Sequence, residues 1–211
     1  MKLLLLGATG LVGSRTLQLA LSHDGISEVI APTRKPLAPA DKLVNPVGPR
    51  IEALLPALMS YKPDAAVCAL GTTQALAGSR EAFRHVDYEL PVVFGKALHE
   101  AGVETYAIVT ALGSSPASAA FYYRVKGEVE RDIQRIGFRS LTICRPSLIG
   151  GKRNEAQGGM GPLALTLAEF LGPVLPKKFR VNRADVIASS LLDAVIAAKP
   201  GCNWIHAEAM H

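Results

Sequence analysis

Short unbroken apolar runs alternate along this chain with longer stretches whose apolar residues recur every three or four positions. The runs are Leu3–Leu6, Glu28–Thr33, Ala65–Leu70, Thr105–Val109 and Leu141–Cys144, with a weaker one at Leu43–Val47 and a last candidate at Trp204–His206. A strand covered on both faces has no solvent side, so it reads as a continuous apolar run rather than an alternation. The helical stretches are Leu11–Leu21, Ile51–Tyr61, Ser79–Ala101, Phe121–Ile136, Leu163–Leu171 and Ala184–Ala198. Pro63 ends the second, and Pro91 predicts a bend in the third, because proline has no N–H to give a helix. The fourth carries an apolar stripe at Phe121, Val125, Val129, Ile133 and Ile136 and closes at Gly137, the residue type that takes up the left-handed backbone at a helix end. In the last helix Asn182 is the expected N-cap and Asp185 lies near the first turn. Gly150–Gly161 holds five glycines and few apolar residues, which predicts a mobile loop, and Pro173 and Pro176 break the chain after it. This alternation predicts an α/β fold, a doubly wound parallel sheet with helices on both faces. Residues 1–211 read as one domain, with 150–180 a small substrate-side region.

The first strand runs directly into Gly7-Ala8-Thr9-Gly10-Leu11-Val12-Gly13, which opens a helix. The first glycine allows a tight turn, the second lets backbone approach a pyrophosphate, and the third lets helix and strand pack closely. The free N–H groups at the helix start then face the phosphates. Strand–turn–helix is the setting that gives a glycine pattern weight, so the sheet is expected to be Rossmann-type and to bind a dinucleotide. After the second strand an NAD site usually places an acid for the ribose hydroxyl. Here the residues are Ala31-Pro32-Thr33-Arg34-Lys35. The Arg34 guanidinium suits a 2′-phosphate, with Arg15 in support, and NADP(H) is favoured over NAD(H). Leu70, Gly71 and Thr72, at the end of the fourth strand, should pass beside the cofactor.

Tyr122-Tyr123-Arg124-Val125-Lys126 contains a tyrosine and a lysine four apart, one helical turn, so Tyr122 and Lys126 share a face. An ammonium beside a phenol stabilises phenolate, and the pair can move a proton while hydride passes to or from nicotinamide. Tyr123 lies three residues from Lys126 and is the alternative.

Composition narrows the class. Of the 211 residues 49% are hydrophobic and 19% charged, which fits a globular protein and excludes a disordered one. The net charge of +5 is spread over many short clusters, a poor match to a nucleic-acid surface and no obstacle to an anionic cofactor. The opening apolar run is too short for a signal-peptide core or a membrane span. Cys68, Cys144 and Cys202 are odd in number and widely spaced, so they read as buried thiols in a reducing cytoplasm. His85, His99 and His206 have no spacing that suggests a metal or a triad.

Both ends together resemble the atypical or extended branch of the short-chain dehydrogenase/reductase superfamily. Within it, Cys68-Ala69-Leu70-Gly71-Thr72-Thr73, Ala77-Gly78-Ser79, Phe83-Arg84-His85-Val86-Asp87, Phe121–Glu130 and Arg145-Pro146-Ser147 are similar to the Tat-interacting-protein oxidoreductase family over roughly residues 1–155. The resemblance implies that Tyr122 is the general acid/base and that Lys126 binds the nicotinamide ribose and tunes Tyr122. It implies a hydroxyl at the end of the fifth strand to orient the substrate oxygen. Thr110 and Ala111 stand there, so Thr110 could serve, with Ser114 or Ser115 just beyond. Pro146, Ser147 and Leu148 would lie along the nicotinamide, the latter two through backbone. Asp87 stands where the superfamily often has an asparagine, and reads as a surface helix carboxylate. Two roles follow: an NADP(H)-dependent oxidoreductase acting on a small carbonyl or alcohol, or an NADPH-binding regulator whose occupancy changes a protein interface. Sugar-nucleotide epimerisation fits less well, because only about sixty residues follow the last predicted inner strand. Substrate and oligomeric state are open.

Overall fold

Successive side chains of a strand point to opposite faces, so each unbroken apolar run must be covered twice. The computed structural model, which describes residues 1–150 and 176–211, shows how. The strands are β1 (Lys2–Leu6), β2 (Glu28–Ile30), β3 (Leu43–Val44), β4 (Ala65–Cys68), β5 (Thr105–Val109), β6 (Ser140–Arg145), the two-residue pair β7 (Ile149–Gly150) and β8 (Asn182–Arg183), and β9 (Gly201–His206). The helices are α1 (Leu11–Ser22), α2 (Leu55–Ser60), α3 (Gln74–Ala77), α4 (Arg80–Arg84), α5 (Leu90–Glu100), α6 (Phe121–Ile136) and α7 (Ala184–Ala197). Seven strands form one sheet in the order β3-β2-β1-β4-β5-β6-β9, and every pairing in it is parallel. This is the Rossmann-type doubly wound arrangement expected from the sequence. Leu3, Leu5, Val67 and Ala107 look towards α1 and α7, packing with Val12, Ile187, Leu191 and Val195. Leu4, Leu6, Ala66 and Ile108 look the other way, onto Leu58, Phe94, Leu98, Val129 and Ile133 of α2, α5 and α6.

Several boundaries differ from the expected ones, each for a local reason. The second strand ends at Ile30 instead of Thr33. Pro32 has no N–H for the ladder, and the edge is completed by Ala31 and Thr33 amides donating to the carbonyls of Val44 and Pro46 at 2.8 and 3.0 Å. The expected Ser79–Ala101 helix is continuous in course but contains a π-helical turn, His85–Glu89, between α4 and α5. Pro91 follows it at the start of α5, where the ring removes an ordinary helical bond. Asn182 does not cap the last helix. Arg183 occupies that position, and the fully buried Asn182 spends its side chain elsewhere: Oδ1 accepts from the Ser147 amide at 2.8 Å, and Nδ2 donates to the carbonyls of Ala207 and Met210. Cys202 is exposed on β9, against expectation, while Cys68 and Cys144 are buried. The Leu163–Leu171 helix, Pro173 and all but the first residue of the Gly150–Gly161 loop lie outside the described residues.

Candidate active site

Since all strands of the sheet run parallel, the residues that follow them gather along one edge. That edge receives the glycine turn after β1, Arg34 after β2, Leu70–Thr72 after β4, Thr110 and the serines after β5, and Pro146–Leu148 after β6. The winding reverses between β1 and β4, which opens the crevice where doubly wound sheets hold ligands.

The glycine turn is built by close approach. Gly7 has φ +86°, and a Cβ there would stand 2.6 Å from the carbonyl oxygen of Ala69, so the ends of β1 and β4 touch through it. A Cβ on Gly13 would lie 2.0 Å from the Gly7 carbonyl oxygen, which shows how tightly α1 is seated on the turn. Gly10 is the N-cap of α1, with no side-chain cap and no acid in the first turn. The first helical amide to bond back is Ser14, donating to the Gly10 carbonyl at 2.9 Å. The amides of Leu11, Val12 and Gly13 are the orphan donors of a helix start, with the dipole unopposed. Ala8 and Val12 are buried, so they can offer a ligand only backbone, whereas Thr9 is exposed. The cradle fits a pyrophosphate.

Arg34 sits on an exposed loop with a defined shape. Asn45 donates to the Ala31 carbonyl and the Thr33 hydroxyl at 2.6 and 2.8 Å and accepts from the Leu37 amide at 2.8 Å, and the Thr33 hydroxyl donates to the Lys35 carbonyl at 2.7 Å. Nothing in the residue pattern points to this Asn45 clasp. Beside the start of α1, Leu11 and Arg15 line a cleft of about 480 Å³ with Gly150, Val181, Arg183, Ala184 and Asp185. A smaller hollow, at His99, Val103 and Arg139, lies at the opposite edge of the sheet and far from this chemistry.

Tyr122 and Lys126 sit on the first half of α6. Tyr122 is half-buried, with its ring 5.7 Å from that of Phe83 and edge-on to Tyr123. Tyr123 is 41% exposed. The Lys126 ammonium is buried and lies 2.7 Å from Oδ1 of Asp87. Asp87 is therefore no surface carboxylate: it is 1% exposed, and its Oδ2 accepts from the Thr72 amide at 2.9 Å. Burial alone would weaken the hold of Lys126 on its proton. The charge of Asp87 and the nearby Tyr122 oxygen outweigh it and hold the ammonium's proton affinity well above the ordinary lysine range. Asp87 was legible after all: Phe83, Asp87, Leu90, Phe94 and Leu98 fall at spacings of four, three, four and four, one apolar helix face.

The hydroxyls after β5 divide. Thr110 is buried, and its hydroxyl is engaged in the framework: its Oγ1 donates to Oε1 of Glu130 at 2.5 Å and lies 3.3 Å from the Cys144 carbonyl. Ser114 donates to the Ala111 carbonyl at 2.6 Å. Ser115 is half-buried, its Oγ accepts a 3.3 Å bond from the Ala117 amide, and its own amide donates to the Tyr123 carbonyl at 3.1 Å. Gly127 makes this crossing tight, because a Cβ there would meet the Ser115 carbonyl carbon at 2.2 Å. Ser115 is thus the serine whose backbone is brought against the turn of α6 that carries Tyr122 and Lys126. After β6 the Ser147 amide is taken by Asn182, so its expected backbone contact with a cofactor is not available in this arrangement. The Pro146 and Leu148 carbonyls accept from the amides of Leu112 and Asn182.

Sequence reasoning also missed Glu130, which is 2% exposed. Both its oxygens receive the Arg145 guanidinium, at 2.9 and 2.5 Å. Arg145 also donates to the Ser114 carbonyl at 3.3 Å and lies over the Trp204 ring. The histidines are engaged locally: His85 with Glu89, His99 edge-on to Phe138, His206 stacked with Trp204.

No protein-family model matches the chain. Among curated proteins it is 34% identical over 206 residues to "Protein fmp52, mitochondrial" of Aspergillus fumigatus, covering 93% of this chain and 88% of the relative. The chain belongs to the Fmp52 family. A Debaryomyces hansenii Fmp52 protein is 35% identical over 161 residues, 75% of this chain and 71% of its own. Both relatives are named as mitochondrial, which overturns the expected cytoplasmic setting. The fold of this Fmp52-family chain is that of the Bordetella bronchiseptica enzyme WbmH solved with NAD+, with a TM-score of 0.73 at 16% identity over 97% of this chain and 75% of that one. It is also that of the Lactococcus lactis oxidoreductase ylbE, with a TM-score of 0.66 at 16% identity over 100% and 95% of the two chains.

Proposed function

We propose that this Fmp52-family protein is an NADP(H)-binding oxidoreductase of the short-chain dehydrogenase type that interconverts a small carbonyl and its alcohol. The observation that carries the reading is the buried Lys126 ammonium, one helical turn from Tyr122, at the crevice edge that also holds the glycine turn. The likeness of Phe121–Glu130 to the Tat-interacting-protein oxidoreductases supports it, and the relatives' names support a mitochondrial setting. Gly7–Gly13 would hold the pyrophosphate on the amides of Leu11, Val12 and Gly13. Arg34 would meet the 2′-phosphate; its guanidinium makes no ion pair among the described residues. Reduced nicotinamide, when bound, supplies a hydride.

The chain's own share is the proton. Tyr122 Oη donates it to the carbonyl oxygen as that oxygen gains charge. The ammonium of Lys126 stabilises the phenolate left behind, which takes a proton back from solvent. Ser115, in place of Thr110, orients the substrate oxygen. NADPH should bind more tightly than NADH in a fluorescence titration, and Arg34→Ala should cost NADPH on the order of tenfold or more while leaving NADH nearly unchanged, the loss of one charge-assisted phosphate contact. Equal affinities in both proteins would remove the NADP assignment. In a screen of small carbonyl compounds Tyr122→Phe should lower NADPH oxidation by about 10²–10⁴-fold with NADPH binding intact. NADPH binding without any turnover would point instead to a regulator whose occupancy alters a protein interface.

A further inference from the structure

A carboxylate that is fully buried against a lysine is a costly arrangement, because both charges are taken out of water. The chain nevertheless builds one, and the helix is reshaped around it. Asp87 is the middle residue of the π-helical turn His85–Glu89, and such turns inside α-helices occur frequently at functional sites. Its two oxygens serve two elements. Oδ1 meets the Lys126 ammonium of α6 at 2.7 Å, and Oδ2 takes the Thr72 amide of the turn after β4 at 2.9 Å. Gly71 lies directly over the pair: a Cβ there would stand 3.6 Å from Oδ1 and 3.8 Å from Lys126 Nζ, ordinary contact that any larger side chain would fill. The titratable groups facing the pair are Tyr122 from α6 and the buried Cys68 thiol from the end of β4. The other charges of this region are engaged elsewhere, His85 with Glu89 and Arg84 with Glu128.

We propose that Asp87 is a positioning residue of the proton-transfer site: through its two oxygens it fixes Lys126 against the β4 turn, and through its charge it keeps Lys126 an ammonium. The inference rests on Tyr122 and Lys126 being the proton-transfer pair. A negative charge beside either group favours its protonated form. With Asp87 in place Lys126 stays an ammonium throughout the working range. An uncharged residue at 87 would let Lys126 give up its proton at lower pH.

The test uses the full chain without added cofactor. NMR of labelled lysine follows Lys126. In Asp87→Asn its midpoint should fall by about one pH unit or more. An unchanged midpoint in a folded Asp87→Asn protein would overturn the proposal, because a residue that only filled space would leave it where it was. Should that variant not fold, the wild-type lysine spectrum decides. Lys126 holding its proton beyond the ordinary lysine range supports the pair, and loss of it below about 10.4 overturns it. Failure of NADPH to bind would sink the oxidoreductase reading and leave the Lys126 midpoint untouched, so the two can fail separately.

Discussion

Gly13→Ala should abolish tight NADPH binding and lower the melting temperature by roughly 4–8 °C, the equivalent of about 2 kcal/mol in a chain of this size. The added methyl would sit 2.0 Å from the carbonyl oxygen of Gly7 and 2.6 Å from its carbonyl carbon. Both are backbone atoms, held by the Gly10 amide donating to that same oxygen at 2.9 Å, so no rotamer change relieves the clash. The start of α1 must lift off the turn, and the amides of Leu11, Val12 and Gly13 move with it. Gly10→Ala separates folding from binding. Its Cβ would be 3.3 Å from the Gly7 oxygen, a contact a small shift can absorb, yet it would project where a phosphate should approach. That variant should keep its melting temperature and lose affinity for NADPH. Calorimetry for stability and cofactor fluorescence for binding check both. Wild-type affinity in a folded Gly13→Ala protein would mean that the turn is only a structural joint.

The sheet was readable because its central strands are buried twice over. Leu3–Leu6 and Ala65–Cys68 have no polar residue to hide, and the glycine turn shows itself by its spacing directly between a strand and a helix. What the sequence blurred lies where one residue serves two neighbours. Asn182 has the composition of a helix cap, but a buried amide goes where most unpaired backbone groups are, here Ser147, Ala207 and Met210. Thr110 occupies the expected hydroxyl position, yet a buried carboxylate one layer below claims it. The π turn adds a residue to a helical turn, a change that leaves no mark on composition beyond the nearby Pro91. Asp87 and Glu130 share one lesson: each sits on the apolar face of its helix, and a charge at such a position needs a partner, which was there to be sought in Lys126 and Arg145.

The same lesson predicts the second large effect. Glu130→Ala should destabilise the protein by about 3 kcal/mol, lowering the melting temperature by roughly 6–12 °C. Glu130 is nearly inaccessible and receives three donors, two from Arg145 and one from Thr110. Truncation leaves a guanidinium whose side chain is only 25% exposed without its counter-charge, and it leaves the Thr110 hydroxyl with only a 3.3 Å contact to the Cys144 carbonyl. Thr110→Val removes one of these three donors and leaves the ion pair, and should cost less, about 1.5–2 kcal/mol. Pairing Glu130→Leu with Arg145→Met removes both charges at once and should recover much of the loss, since a buried pair replaced by apolar groups is often neutral. Arg145 also holds the Ser114 carbonyl and lies 4.4 Å from the centre of the Trp204 ring, so the network ties the serine loop beside Tyr122 to the edge strand β9. The double variant should therefore regain stability while the loop loosens, and turnover, on the role proposed for Ser115, should stay depressed. If thermal melts place Glu130→Ala within about 1 kcal/mol of wild type, the network is an ornament of the fold. If the double variant recovers both stability and turnover, the ion pair has no part in placing the serine loop.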